Sequence, residues 1–145
     1  MKTARDILAG KGTNIVSIGS NATVLDAALL MNDHKIGCMV VMDQGRIVGI
    51  FSERDVLVRV VGKRRDPATT KIAEVMTREV ICSGPEAPLD ELRSVFRNRR
   101  IRHLPVCEPD GKLLGLLSIG DLNMVESQLQ ETHIHYLEEY LQGRA

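Results

Sequence analysis

Two serine–aspartate pairs carry most of the chemistry this sequence can offer. They stand in Gly49-Ile50-Phe51-Ser52-Glu53-Arg54-Asp55 and Gly115-Leu116-Leu117-Ser118-Ile119-Gly120-Asp121. Each stretch runs glycine, two apolar residues, serine, two variable residues, aspartate. Ser-x-x-Asp after an apolar run has a purely structural reading as a helix start. The serine hydroxyl accepts the third amide, and the carboxylate reaches back to the serine amide. Such a cap is worth about 1 kcal/mol and needs no ligand. The same residues have a binding reading if the strand end faces a cleft. An ionised carboxylate only accepts hydrogen bonds. It therefore suits the vicinal hydroxyls of a ribose and repels a phosphate. If a nucleotide binds, Asp55 and Asp121 belong on riboses, and the phosphate lies elsewhere. Ser52 and Ser118 can serve phosphate or ribose through hydroxyls and helix-start amides.

The phosphate is then sought among cations. Arg99, Arg100, Arg102 and His103 cluster ahead of the second motif, and Arg54 lies inside the first. The second motif has Ile119 and Gly120 there instead, which predicts two related but unequal sites. Arg54, Arg102 and His103 are the phosphate candidates. They are too few for a triphosphate, so a monophosphate or a dinucleotide fits better.

Other chemistries find no support. His133-x-His135 has no further His or Cys nearby, and alternate helical positions do not share a face, so no metal is expected. No nucleophile with a paired base and no G-x-x-x-x-G-K-[ST] loop is visible, so no enzyme is expected. Nineteen basic residues balance nineteen acidic ones, there is no Trp, and only Phe51, Phe96, Tyr136 and Tyr140 are aromatic. That argues against nucleic acid as a partner. No apolar run approaches the roughly 18 residues of a membrane span. The start has no secretory apolar core, and Cys38, Cys82 and Cys107 form no C-x-x-C pair. A reduced, cytoplasmic protein is expected.

The elements that must position these groups occur twice. Lys2–Leu8 is a helical lead-in, Ile15–Ile18 a short extended piece, and Thr23 caps a helix to His34, closed by Gly37. Val24, Ala27 and Met31 give that helix its buried face. Cys38–Met42 and Ile47–Phe51 make a hairpin around Asp43-Gln44-Gly45-Arg46, and Ser52 opens a helix to Gly62. The unit then restarts about 65 positions later. Ile72–Met76 is the lead-in, Val80–Cys82 the extended piece, and Leu89, Leu92 and Phe96 the helix face. Leu104–Cys107 and Leu113–Leu117 form the hairpin, and Ser118 opens the last helix. We divide the chain into repeat 1 at 2–62, a linker at 63–70, repeat 2 at 71–125 and a helical extension at 126–145. A unit of about 60 residues is marginal alone, which favours two copies packed as a pseudo-symmetric pair. The extension places Val125, Leu129, Tyr136 and Tyr140 near one face, a stripe suited to a partner chain.

The repeat resembles the CBS domain pair, or Bateman module. The resemblance rests on the two Gly-h-h-Ser-x-x-Asp motifs and on two strand signatures. These are Ile36-Gly37-Cys38-Met39-Val40-Val41 and Ile101-Arg102-His103-Leu104-Pro105-Val106. It covers nearly all of 2–125, although the first signature lacks the proline. It implies an α/β fold of two pseudo-symmetric repeats, each a small mixed sheet with flanking helices. It also implies adenine-nucleotide binding between the repeats, and dimers. Ile15, Val16, Ile36, Gly37, Cys38, Val80, Ile81, Ile101 and Leu104 are then the candidates for an adenine pocket. Most of them read equally well as core. The expected function is a regulatory module for AMP, or for NAD or NADH, acting as a homodimer on an unnamed protein. A ligand-free dimeric scaffold is the alternative.

Overall fold

The computed structural model describes residues 2–12 and 15–141, with side chains except at 132–136 and 138–141. Tyr136, Tyr140, His133 and His135 therefore lie outside the described side chains.

Local signals set each helix. Thr3 caps α1 (Ala4–Lys11) in a reciprocal box with Asp6, and Thr23 does the same for α2 (Val24–His34) with Asp26. Lys35, at φ 54°, takes the left-handed position that ends α2. Gly37 is thus not the terminator expected from the sequence. A Cβ on Gly37 would lie 2.9 Å from the Glu53 carboxyl carbon, so its glycine serves a close approach.

The first sheet has the order β1-β2-β3. Ser17–Ile18 (β1) runs parallel to Cys38–Asp43 (β2), and β2 pairs antiparallel with Arg46–Ser52 (β3). The second sheet pairs His103–Cys107 (β4) with Leu113–Ser118 (β5) antiparallel. The extended piece expected at Val80–Cys82 is not a strand: one parallel bridge, Ser83 to Val106, holds the place of β1. Ser52 opens α3 (Glu53–Asp55), which continues through a π-helical turn (Val56–Val60) and a 3₁₀ turn (Val61–Lys63). The short α4 (Ile72–Val75) follows, then α5 (Leu89–Arg99) and the 23-residue α6 (Ile119–Leu141).

The two cores cut across the two sequence repeats. Ala4, Ile7 and Leu8 of α1 pack with Leu92 and Phe96 of α5, Leu104 and Val106 of β4, Leu117 of β5 and Leu122 of α6. Ile72, Val75 and Met76, in and just after α4, pack with Val24, Ala27 and Met31 of α2, Met39 and Val41 of β2 and Phe51 of β3. Each lead-in helix therefore completes the core of the other repeat. The first glycine of each motif makes this exchange fit. A Cβ on Gly115 would lie 2.6 Å from Leu8 Cδ2 in α1, and one on Gly49 would lie 2.6 Å from Met76 Sδ. Each motif glycine lies within its strand, Gly49 in β3 and Gly115 in β5, and does admit a close approach. Its occupant is a side chain from the exchanged lead-in, not a ligand.

The fold is mixed α/β, two repeats each with a small sheet and helices, and a C-terminal helix. Val125 packs on the second core, while Leu129 and Leu137 further along α6 are exposed. No helix among the described residues is long and apolar enough to cross a membrane.

Candidate functional site

The capping reading of both motifs holds. Ser52 N donates to Asp55 Oδ2 at 3.0 Å, and Asp55 N to Ser52 Oγ at 3.3 Å. Ser118 N donates to Asp121 Oδ2 at 2.7 Å, and Asp121 N to Ser118 Oγ at 3.1 Å. What differs between the copies is the cation each aspartate meets.

At the second motif that cation is Lys11. Leu8 seats α1 on Gly115, which brings the last turn of α1 across β5. Lys11 Nζ then donates to Leu116 O and to Asp121 Oδ2, each at 2.7 Å. A basic residue suits a helix C-terminus in any case, through the helix dipole. Burial works to raise the Asp121 pKa, but the Lys11 hydrogen bond, the Ser118 amide and the Lys11 charge win, and it lies below its ordinary value.

Beside this pair is a pocket of about 120 Å³ between the two repeats. Ile15, Val16, Ile36 and Cys38 of the first repeat line one side, and Gly115 and Leu116 of the second the other, with Lys11 and Gly12. Four of the nine residues expected around an adenine therefore do meet in one place. Cys38 is buried there, and its thiol is pushed up to about 12 by burial and then by the charges of Asp55 and Glu53.

The remaining candidates are spread differently. At the first motif, Asp55 is buried and meets Arg59 Nε at 3.7 Å, one turn along the same helical segment. Arg59 Nη1 also donates to Val75 O at 3.0 Å and Met76 O at 2.9 Å, so it caps α4. Arg54 is exposed on α3. Ile81 and Ile101 are half-buried against the second core, and Val80 is half-buried. Leu104 is fully covered core and offers no surface to a ligand. The Gly37 carbonyl accepts the Glu53 amide at 2.9 Å, and the Arg102 carbonyl accepts the Ile119 amide at the same distance. These contacts are counterparts in the two repeats, with Glu53 placing a carboxylate where the other has the Ile119 side chain. Arg102 is exposed and His103 half-buried opposite Ser118. Burial first, then the Lys11 charge, lowers the His103 pKa, against the pull of Asp121.

Lys11 and Arg59 are the residues that sequence reasoning missed. Arg59 had a signal, since Asp and Arg four apart share a helix face. Lys11 had none, because only the exchange of α1 brings it to Asp121. The surroundings of the two motifs differ. The difference is carried by Lys11 and Arg59 more than by Arg54: α4 ends at Val75 and has no turn matching the one that carries Lys11, and the counterpart of Arg59 is Val125. Among the described residues no group of three or more His, Cys, Asp or Glu side chains is placed to hold a metal ion.

Comparison with known proteins agrees with this architecture. The CBS domain family model matches residues 4–62 and again 72–126. A CBS domain-containing protein of Bacillus subtilis, YhcV, is 31% identical over 110 residues, covering 76% of this chain and 77% of its own. A solved protein with CBS domains from Burkholderia ambifaria MC40-6 superposes with a TM-score of 0.81 at 38% identity, over 89% of this chain and 95% of that one. The CBS domain protein PAE2072 of Pyrobaculum aerophilum, solved in complex with AMP, gives a TM-score of 0.74 at 27% identity, over 83% and 89%. The chain belongs to the CBS-domain family and carries two tandem CBS domains.

Proposed function

We propose that this chain is a regulatory module that binds an adenine nucleotide between its two repeats, AMP or an NAD-type dinucleotide. The observation that carries the reading is the pocket whose lining residue Lys11 is hydrogen-bonded to Asp121. One repeat supplies an apolar wall from Ile15, Val16, Ile36 and Cys38, and the other supplies the hydrogen-bond acceptor. That pairing suits a flat purine joined to a diol. The AMP complex of PAE2072 supports it by likeness. A ligand touching both repeats favours one angle between them, and so shifts the population seen by a partner. Asp55, Ser52, Arg54 and the walls Val80, Ile81 and Ile101 form the related site of the other repeat, and Arg102, His103 and Ser118 are the phosphate side. We place the protein in the cytoplasm as a homodimer. Its apolar contact includes Leu57, Val58 and Val61 on one helical segment and Met124 and Leu129 on α6, all exposed in the single chain.

The test is calorimetry and thermal shift with AMP, ATP, NADH and S-adenosylmethionine on the wild-type chain and Asp121→Ala. Binding of AMP or NADH that Asp121→Ala weakens supports the reading. Ligand that stabilises Asp121→Ala as much as wild type removes the ribose role. No shift with any of them at millimolar concentration leaves the second reading, a ligand-free scaffold. The completed caps at Ser52 and Ser118 are the observation in its favour.

A further inference from the structure

We infer that Lys11 determines the class of ligand this cleft accepts: it closes the cleft on Asp121 and selects adenine nucleotides bearing a phosphate over neutral or cationic adenosyl compounds. This rests on the nucleotide reading above.

The first argument is space. The pocket holds about 120 Å³. Pockets that take drug-sized ligands span roughly 300–1,000 Å³. Lys11 forms its lip, with a side chain 39% exposed and held only at its ammonium, by Leu116 O and Asp121. A lysine on a flexible four-carbon stem is the wall that moves most easily. Admitting a nucleoside means lifting it.

The second argument is charge. Lys11 and Asp121 neutralise each other. The Asp121 contacts described, from Ser118 N and Lys11 Nζ, all fall on Oδ2. A ribose diol at this carboxylate competes directly with the ammonium. Once displaced, Lys11 has lost its counter-ion, and its charge, like that of Arg102, already bears on His103. A neutral adenosine gives nothing back to the ammonium. A sulfonium adds a like charge. A phosphate on the same ligand restores the pairing, so the ligand that opens the cleft at least cost is the one that brings its own anion. In the other cleft the lead-in helix α4 ends at Val75 and offers no turn corresponding to that of Lys11, and Arg59 there is committed to the Val75 and Met76 carbonyls. The selectivity therefore belongs to the Asp121 side alone.

The experiment is calorimetric titration of the full chain with AMP, adenosine and S-adenosylmethionine, on wild type, Lys11→Met and Lys11→Arg. Wild type is expected to favour AMP over adenosine by about 10- to 100-fold, the range of one charge-assisted hydrogen bond. In Lys11→Met the AMP affinity falls by a similar factor and the adenosine affinity holds or rises, so the preference collapses. Lys11→Arg, which keeps the charge, retains it. The wild-type preference weakens with added salt, more steeply than any preference left in Lys11→Met. An unchanged AMP-to-adenosine ratio in Lys11→Met overturns the inference. So does an equal loss of both ligands, since that marks Lys11 as merely structural. If wild type binds none of the three, the nucleotide reading itself falls, and the role of Lys11 with it.

Discussion

Adding one methyl group at Gly115 tests the exchanged lead-in helix directly. A Cβ there would sit 2.6 Å from Leu8 Cδ2 and 3.1 Å from Cδ1. Leu8 must shift, and overpacking of this kind costs about 1–3 kcal/mol. Replacing glycine by alanine also narrows the unfolded ensemble, which returns about 0.4–1 kcal/mol. The net expectation for Gly115→Ala is a loss of about 1–2 kcal/mol. Leu8→Ala alone removes a buried side chain and costs about 2–5 kcal/mol. In the double variant the new methyl occupies part of the space left by Leu8. The combined loss should fall short of the sum by about 1 kcal/mol or more, a coupling that only residues in contact show. Gly49→Ala should cost more, about 3 kcal/mol. Its Cβ meets Met76 Sδ at 2.6 Å and also the Thr77 backbone oxygen at 2.9 Å, and that oxygen is fixed by the Ile50 amide. Gly10→Ala is the control, because a Cβ there meets nothing within 4 Å and alanine is the better helix former. The assay is urea unfolding followed by far-UV circular dichroism, comparing midpoints at constant slope. A Gly115→Ala midpoint equal to wild type, or strict additivity with Leu8→Ala, refutes the packing of α1 on the second repeat.

Three further outcomes follow from the same contacts. Arg59→Met leaves the Val75 and Met76 carbonyls without this donor and Asp55 without this counter-charge; a loss of about 1–3 kcal/mol is expected in thermal or urea unfolding, and a wild-type midpoint would show that the bridge carries no weight. His103 has its folded pKa below the ordinary 6.5, so its contribution is complete above that value and is lost as pH falls through it, because the unfolded chain then binds the proton more readily. Urea midpoints at pH 8, 6 and 5 should decline more steeply in wild type than in His103→Gln, and parallel declines would reject the assignment. Exposed Cys82 should react first with an alkylating reagent at pH 8, while Cys38, buried and pushed up to about 12, stays unmodified in the folded chain; peptide mapping by mass spectrometry that finds Cys38 labelled first would contradict the burial of the pocket wall.

Legibility in the sequence followed the range of the interaction. Thr23 as a cap, the helix faces at Val24, Ala27 and Met31 and at Leu89, Leu92 and Phe96, and both hairpins were readable, since each depends on neighbours a few residues away. Gly37 was misread for the same reason. A glycine after a helix ordinarily supplies the left-handed cap, but Lys35 adopts that conformation, and Gly37 answers to Glu53 across the repeat. The motif glycines announced that something approaches the backbone. They did not say that Leu8 and Met76 of the exchanged segments do so, because two similar repeats can pair either lead-in with either core. Four of the proposed pocket residues converge because they occupy matching positions of one repeat, on or beside β1 and β2. Leu104 did not join them because alternate residues of β4 face opposite ways, and its side faces the core.

The exchange of lead-in helices also decides how a ligand at Asp121 can be felt elsewhere. Helix α1 has eight residues, about 12 Å of rigid rod. Its first turn is fixed to the second repeat by the Ala4 amide on Ala87 O at 2.9 Å and the Arg5 amide on Pro85 O at 2.8 Å. Arg5 adds ion pairs to Glu86 and Glu108, and Ala4, Ile7 and Leu8 are buried. Its last turn is tied to the same repeat by Lys11, and Gly12 follows at φ 99°, a conformation that lets the chain turn toward the first repeat. On the proposed reading, a ligand that takes Asp121 from Lys11 frees the end of α1 that lines the pocket beside the other repeat. The buried end holds, so the rod keeps its place in the second core while the turn that carries Lys11 responds to the ligand. The effect is bounded by the difference in affinity between the two arrangements. One exposed ion pair is worth at most about 1 kcal/mol. That is enough to shift a nearly balanced inter-repeat angle about fivefold, and far too little to unfold either repeat.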